Sequence, residues 1–549
     1  MSVKGSFGIV ALLVAGALSA SAQVSPYSWK NLPRVSMPVF KKDTFNILKY
    51  GAKPDGLTLN TGSINKAIAD CSAKGGGVVL IPQGLWLTGP VVMKSNVNLH
   101  VNRAALLQFT DDKSQYKLVE GNYEGHVAVR NESPISGINL TNIAITGDGI
   151  IDGHGEVWRA ISKERLTEAE WKKLVASGGI VSENGKTWYP SASYVKGLQT
   201  PGAGILGRGK TLADNEPMKD FFRPNMLVLT NCKKVLLQGV TLQNSAAWDI
   251  HTLLCEDLNV QNVRVRNNWN AQNGDGIDVE SCKNVLIEGS TFDAGDDGIC
   301  IKSGRDEEGR KRGKPTENVV VRNNVVYRAH GGFVIGSEMS GGARNIFVYD
   351  CTFIGTDIGL RFKTTRGRGG VVENIFIKNI SMRAILHEAI LFDMYYGGKS
   401  PGEDDVVKDE ATIPVTEATP SFRNFYVNNV ACNGAEKALM IRGLPEMSIK
   451  GIHIENSTFQ TDKGADIIEG QDVSLKNVYL QSKDSNPLIN IQNGSNIMFD
   501  HVTYKNAELL FKISGKKSAG IKLLNTDTSK AKNKAVFGAG VANNVLVVK

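Results

Sequence analysis

NVLIEGSTFDAGDDGICIKSG, residues 284–304, holds two strand-sized pieces, VLIEGSTF at 285–292 and GICIKSG at 298–304, separated by Gly and Asp. Each piece is too short to bury its own apolar face, so it needs similar pieces stacked on either side. Such pieces recur. Asn followed by an aliphatic residue opens an alternating run at Asn284-Val285, Asn318-Val319, Asn345-Ile346 and Asn374-Ile375, at intervals of 34, 27 and 29 residues. Lys234-Val235 and Asp257-Leu258, 23 residues apart, are earlier equivalents; Ser448-Ile449 and Asn496-Ile497 continue the theme. A period of about 20 to 30 residues with several β segments and little helical pattern fits a parallel β-helix. A propeller blade needs four antiparallel strands over about 40 residues, and the Leu and Asn code of a leucine-rich repeat is missing.

Outward from this centre, the pattern runs from near Asn225 to beyond residue 500. Upstream, residues 63–72 suit a short helix with Ile64, Ala67 and Ile68 on one side, ended by a triple glycine, and such a helix would cap the open end of the solenoid. Strands are expected at 78–81, 96–101 and 137–145. Residues 151–225 interrupt the rhythm: LTEAEWKKLVA at 166–176 suits a surface helix, and the remainder, with Trp158, Trp188, Tyr189 and Tyr194, reads as a long loop expected to wall a functional site. The expected organisation is a leader at 1–22 and one all-β domain at 23–549, with a capping region about 45–80 and an insertion about 151–225.

The leader reading rests on Lys4, an almost uncharged run from Phe7 to Ala20, and Ala20-Ser21-Ala22 before Gln23. It predicts an exported protein, periplasmic or extracellular, with no membrane anchor. The seven cysteines are odd in number, so at least one thiol is expected free, and the contexts TNC at 230–232, ESC at 280–282 and YDC at 349–351 suggest a stacked inward position. No CxxC spacing supports zinc. The formal charge of +8 favours a polyanionic partner. Basic clusters such as Arg310-Lys311-Arg312 lack interleaved aromatics, and no nucleic-acid module is present.

The chemical signal is the density of Asp in Asn273-Gly274-Asp275-Gly276-Ile277-Asp278 and Gly295-Asp296-Asp297-Gly298. Asp275 and Asp296 are 21 residues apart, about one coil, which would bring their side chains together across a rise of about 4.8 Å. Clustered carboxylates repel, so at least one holds its proton to higher pH, and such a pair supplies one acid and one base. In an inverting glycosidase the two lie about 6.5 to 9.5 Å apart to admit water. The same cluster also suits a hard cation such as calcium, and at this point both readings stand. The next coils bring Ala329-His330-Gly331 and Arg361-Phe362-Lys363. Arg361 and Lys363 share one strand face while Phe362 points into the core, and two cations on an exposed face suit a substrate carboxylate. His330 is suited to orient a carboxylate or bond a sugar hydroxyl. Trp248 and His251, one coil before Asp275, offer an aromatic face and a donor to a sugar ring; Tyr395 and Tyr396 are candidates of the same kind.

These segments resemble the polygalacturonase family, the pectin-cleaving glycoside hydrolases of family 28, marked by Asn-Thr-Asp, Gly-Asp-Asp, Gly-His-Gly and Arg-Ile-Lys. Here they stand, in the same order, as Asn273-Gly274-Asp275, Gly295-Asp296-Asp297, Ala329-His330-Gly331 and Arg361-Phe362-Lys363. The resemblance implies a single-stranded right-handed parallel β-helix of the pectate-lyase type with long loops walling the active site. It also implies inverting hydrolysis, with Asp296 as general acid, Asp275 and Asp297 activating water, and His330 supporting the acid. Arg361 and Lys363 would grip the galacturonate carboxylate, and Asn273 would be a further substrate contact. No cofactor or metal is implied. Gly274, Ala329 and Phe362 depart from the pattern beside the functional side chains. The insertion at 151–225 and residues 363–370 are similar to those of exo-acting bacterial members, where Arg366 and Arg368 would contact acidic sugar. The expected substrate is a pectic polysaccharide or oligogalacturonide, cut from chain ends by a monomer. Alternatives are endo action, a rhamnogalacturonan, xylogalacturonan or other branched-pectin hydrolase, a calcium-dependent pectate lyase, and a non-catalytic carbohydrate-binding β-helix.

Overall fold

The computed structural model describes residues 24–206, 210–397, 412–538, 540–542 and 544–549. The leader-like residues 1–22 lie outside the described residues. The chain winds into a right-handed parallel β-helix. Fourteen parallel strands form one face, from Val91–Val92 to Ala531–Phe537, and a 24-stranded sheet wraps the other two. The two columns of that larger sheet merge where single long strands, beginning with Ala343–Ile354, run round the corner.

The residues that mark the repeat in the sequence fall into one column. Val235 pairs with Leu258, Leu258 with Val285, Val285 with Val319, Val319 with Ile346 and Ile346 with Ile375. The residue before each of these bends the chain into the left-handed region: φ is +53° at Lys234, +58° at Asp257, +57° at Asn284, +60° at Asn318, +56° at Asn345 and +58° at Asn374. Asn tolerates that conformation and adds an amide that bonds the next coil, as from Asn318 to Asn284 at 3.1 Å and from Asn345 to Asn318 at 3.3 Å. The Ser448-Ile449 expectation is off by three residues. The column passes through Ile452, preceded by Gly451 at φ +65°.

Inside, apolar side chains stack coil on coil. Phe362, which faces the core as expected, stacks on Phe392 at 4.6 Å and meets Phe425 edge-on at 4.9 Å; each buried ring contributes roughly 2 kcal/mol of apolar transfer. Cys232, Cys255 and Cys282 stack on successive coils with thiols on neighbouring carbonyls, and all seven cysteines are buried and free. The N-terminal helix runs Thr61–Ala73 and turns Ile64, Ala67, Ile68 and Cys71 inward. Among the described residues no helix is long and apolar enough to cross a membrane.

The insertion is more structured than the long loop expected. Its helix, Glu168–Ala176, starts at a Thr167/Glu170 capping box. A small antiparallel sheet of Ile161–Ser162, Thr187–Tyr189 and Ile180–Val181 and a second helix, Ala192–Gln199, give it its own order. Met218 and Phe222, near its end, pack on Leu118 and Val129 of an antiparallel hairpin, Leu118–Tyr123 with His126–Asn131, which the sequence reading missed. That hairpin leaves the coil before Ile135–Ile138 and reaches Asp297–Lys302 and the helix Asp306–Arg312. Three strands of the fourteen-stranded face lie between those two coils. Its tip is pinned by Arg305 to Glu124 at 2.9 Å and His126 to Glu308 at 3.2 Å.

Candidate active site

Four successive coils of the fourteen-stranded face converge on one spot. Asp275 precedes Ile277–Glu280, Asp296 and Asp297 open Asp297–Lys302, His330 precedes Gly331–Ile335, and Arg361 and Lys363 lie on Leu360–Lys363. The register pairs Ile277 with Ile299, an offset of 22, so Asp275 stands opposite Asp297 and not Asp296 as the 21-residue spacing suggests. Asp296 is one residue nearer the preceding bend, which leaves it partly open to solvent. Gly298 allows this crossing to be tight: a Cβ there would lie 2.4 Å from Val326.

The carboxylates differ sharply in environment. Oxygens of Asp275 and Asp297 lie within 4.8 Å of each other, and both residues are 2% exposed. Burial would raise Asp297, but Lys363 at 2.7 Å and Arg361 at 3.4 Å hold it well below the usual carboxylate range. Asp275 goes the other way, pushed well up by burial and by Asp278 and Asp296, with Lys302 opposing. Asp278 is raised to about 6 by burial. Asp296 bonds the His330 Nδ1 at 3.0 Å, and the His330 Nε2 faces Asp357 at 3.7 Å. The bond to Asp296 raises His330, so the imidazole keeps its proton to higher pH than free imidazole would.

The two cations are not free on an exposed face, as expected from sequence. Lys363 and Arg361 are largely buried because Asp297 draws them in, yet the Arg361 Nε has no hydrogen-bond partner among the described residues. Tyr396, partly exposed, lies 5.7 Å from the guanidinium and 4.9 Å from the ammonium. The arrangement pairs a proton-bearing group at the surface with a buried ionised carboxylate, and leaves cationic donors beside both. Asp275, Asp297 and Cys300 also bring three donor atoms within 4.8 Å. A thiol and two carboxylates already facing Lys302 and Lys363 are a poor set for calcium, which takes six to eight oxygens.

Comparison with known proteins places this geometry. Residues 173–421 match the family described as "Glycosyl hydrolases family 28", and residues 44–215 match "Rhamnogalacturonase A/epimerase, pectate lyase-like". A solved hyperthermoactive exopolygalacturonase from Thermotoga maritima is 30% identical, aligned over 86% of this chain and 94% of its own, with a TM-score of 0.63. The chain belongs to glycoside hydrolase family 28. Curated relatives of this glycoside hydrolase include a probable polygalacturonase of Vitis vinifera, 28% identical over 75% of this chain and 73% of its own. An exo-poly-α-D-galacturonosidase of Dickeya chrysanthemi is 29% identical over 72% of this chain and 64% of its own.

Other expected contacts of this glycoside hydrolase sit elsewhere than the sequence reading put them. Trp248 and His251 are each 1% exposed, because the hairpin covers them: Tyr123 stacks on Trp248 at 5.5 Å, and His251 bonds Glu280 at 2.9 Å. They underlie the site and do not open onto it. Arg366 forms a two-pronged pair with Glu446 at 2.7 and 3.0 Å, and Arg368 is buried between Asp306 and the Ser337 carbonyl. Arg368 is thereby closed off as a sugar contact, while the Arg366 side chain, tied to Glu446, stays 33% exposed. Asn273, at φ +52°, accepts at its side-chain oxygen a hydrogen bond from the Arg223 guanidinium at 2.8 Å, tying the insertion's end to the loop that carries Asp275. Tyr395 is buried. Sequence reasoning missed Lys302 and Asp357. Lys302 had one available signal, a lysine two residues from Cys300 on the outward side of a strand that starts with two aspartates.

Proposed function

We propose that this glycoside hydrolase cleaves α-linked galacturonic acid bonds of pectic polysaccharide with inversion, releasing galacturonate from chain ends. The observation that carries the reading is the split between the His330–Asp296 pair and Asp297. The proton held at Asp296 and His330 goes to the departing glycosidic oxygen. Water lying between Asp275 and Asp297 loses its proton to that pair and attacks the anomeric carbon from the opposite side. The unpartnered Arg361 Nε, with Lys363 behind it, takes the carboxylate of the sugar, and Tyr396 offers its ring. A substrate without a carboxylate at that position would leave the Arg361 Nε without a partner.

Action from chain ends is supported by the hairpin 118–131, which roofs the face on the side of the coils preceding the aspartates and is pinned at Glu124 and His126. A polymer running along the face would collide with it. The names of the Thermotoga and Dickeya relatives agree. The leader-like segment supports export, so that the enzyme meets its substrate outside the cytoplasm.

Purified protein incubated with tri- and tetragalacturonic acid in chelator is expected to release saturated monogalacturonate from the first time points, with no rise in ultraviolet absorbance. Shortening the hairpin across residues 122–126 is expected to yield mixed internal fragments from polygalacturonate. A rising absorbance would replace hydrolysis by elimination. Absence of cleavage would move the substrate to branched or rhamnose-containing pectins, and unchanged products from the shortened variant would deny the hairpin its role.

A further inference from the structure

Lys302 is 5% exposed, yet its ammonium meets three carboxylates: Asp278 at 3.1 Å, Glu338 at 3.7 Å and Asp275 at 3.9 Å. It rests on the face of Trp248, 3.9 Å from the ring. Trp248 is in turn held by Tyr123 of the hairpin and by the edge of His251 at 4.9 Å. Little else offsets the charge on this side of the site. The Asp275 Oδ1 and Asp278 Oδ2 are buried without hydrogen-bond partners, and Lys363 and Arg361 are committed to Asp297.

We propose that Lys302 is a positioning residue for hydrolysis: seated on the Trp248–Tyr123 stack, it holds Asp275 in place beside Asp297 and counters the crowding of acids there. The inference rests on the reading of Asp275 as part of the water-activating pair. The groups facing Asp275 are Asp278 on its own segment, Asp296, Asp297, Cys300 and Lys302 on the next coil, and Tyr123 of the hairpin; Lys302 also faces Glu338 and Cys300, and Asp278 faces His251. Of these, Lys302 alone lowers Asp275. Take it away, and Asp275 and Asp278 lose the one cation within ion-pair distance of them among the described residues, so Asp275 holds its proton still more firmly where it needs to give it up. The same stack makes the chain-end wall and the water-activating carboxylate one mechanical unit, since the hairpin's Tyr123 is the outer support of Trp248.

The test compares Lys302→Met and Lys302→Arg with the parent. Rate is followed across pH on a short oligogalacturonide, and Asp275 is titrated directly by 13C-carboxylate NMR, its signal assigned by its loss in Asp275→Asn. Lys302→Met is expected to lower kcat roughly 30-fold with KM within about threefold. The acid limb of its kcat profile and the Asp275 titration should both move up by about one pH unit or more. Lys302→Arg should restore most of the limb position. An unmoved limb with an unmoved titration overturns the proposal, and so does a rise in KM at constant kcat, which would make Lys302 a substrate contact. If Lys302→Met does not fold, Lys302→Gln carries the same comparison. The NMR titration needs no substrate. A parent enzyme inactive on galacturonides would therefore sink the substrate reading, while an unshifted Asp275 would sink this one.

Discussion

Asp296→Asn is expected to lower kcat on oligogalacturonides by about 10³-fold or more and to leave the fold intact. Asp296 is the partly open member of the aspartate group, its side chain 23% exposed, and among the described residues its one side-chain hydrogen-bond partner is His330. Asn keeps the shape and can still bond the imidazole, but it has no acidic proton to give the leaving oxygen. Because no core contact is lost, the thermal midpoint should stay within about 2 °C of the parent. Reducing-end assays with calorimetry in parallel check both halves. A variant keeping a tenth of the parent's kcat would show that the departing oxygen finds its proton elsewhere.

Lys363→Met should act on stability as well as on rate. It removes the nearer partner of Asp297 and leaves that buried carboxylate with Arg361 at 3.4 Å as its remaining ion-pair partner among the described residues, beside the Cys300 thiol at 3.6 Å. Breaking one side of a buried ion pair typically costs 3 to 5 kcal/mol, and the remaining guanidinium argues for the lower end, about 3 kcal/mol. The pH dependence follows from the depressed Asp297. A carboxyl held down in the folded state contributes stability above its unfolded value, near 4, and loses that contribution as pH falls toward the folded one. The gap between parent and variant should therefore be full at neutral pH and narrow steadily below about pH 4. Denaturant midpoints taken through that window test it; a gap under about 1 kcal/mol at neutral pH would mean that Arg361 suffices alone.

The coil repeat was legible because left-handed corners leave a chemical trace. At residues 284, 318, 345 and 374 the trace is Asn, whose amide also bridges coils. At 451 it is Gly, which meets the same backbone demand with no amide, and the marker was displaced to Ser448. The four motif segments were legible for the same reason, since stacked coils turn sequence spacing into proximity. What spacing could not show was cover. Trp248 and His251 lie on the correct face, but the hairpin that buries them comes from residues 118–131. Arg366 and Arg368 looked free because Glu446 is 80 residues away and Asp306 is 62. Lys302 gains its meaning from Trp248 and Glu338, on other coils, and its one local signal, the spacing from Cys300 and the aspartates, does not by itself set it apart from a solvated strand lysine.

The backbone strands of each coil pair only with those of the coil before and the coil after. The chemistry is confined to the strands between Ile250–Leu253 and Glu388–Asp393, and five more strands of the same face, from Lys437–Arg442 to Ala531–Phe537, stack beyond them. Such a stack can peel from its far end as a spool unwinds, one turn at a time, without the loose end tugging on the middle. Turnover would then report the health of a few inner windings while ellipticity reports the length still wound, and the two clocks of inactivation would run at different speeds.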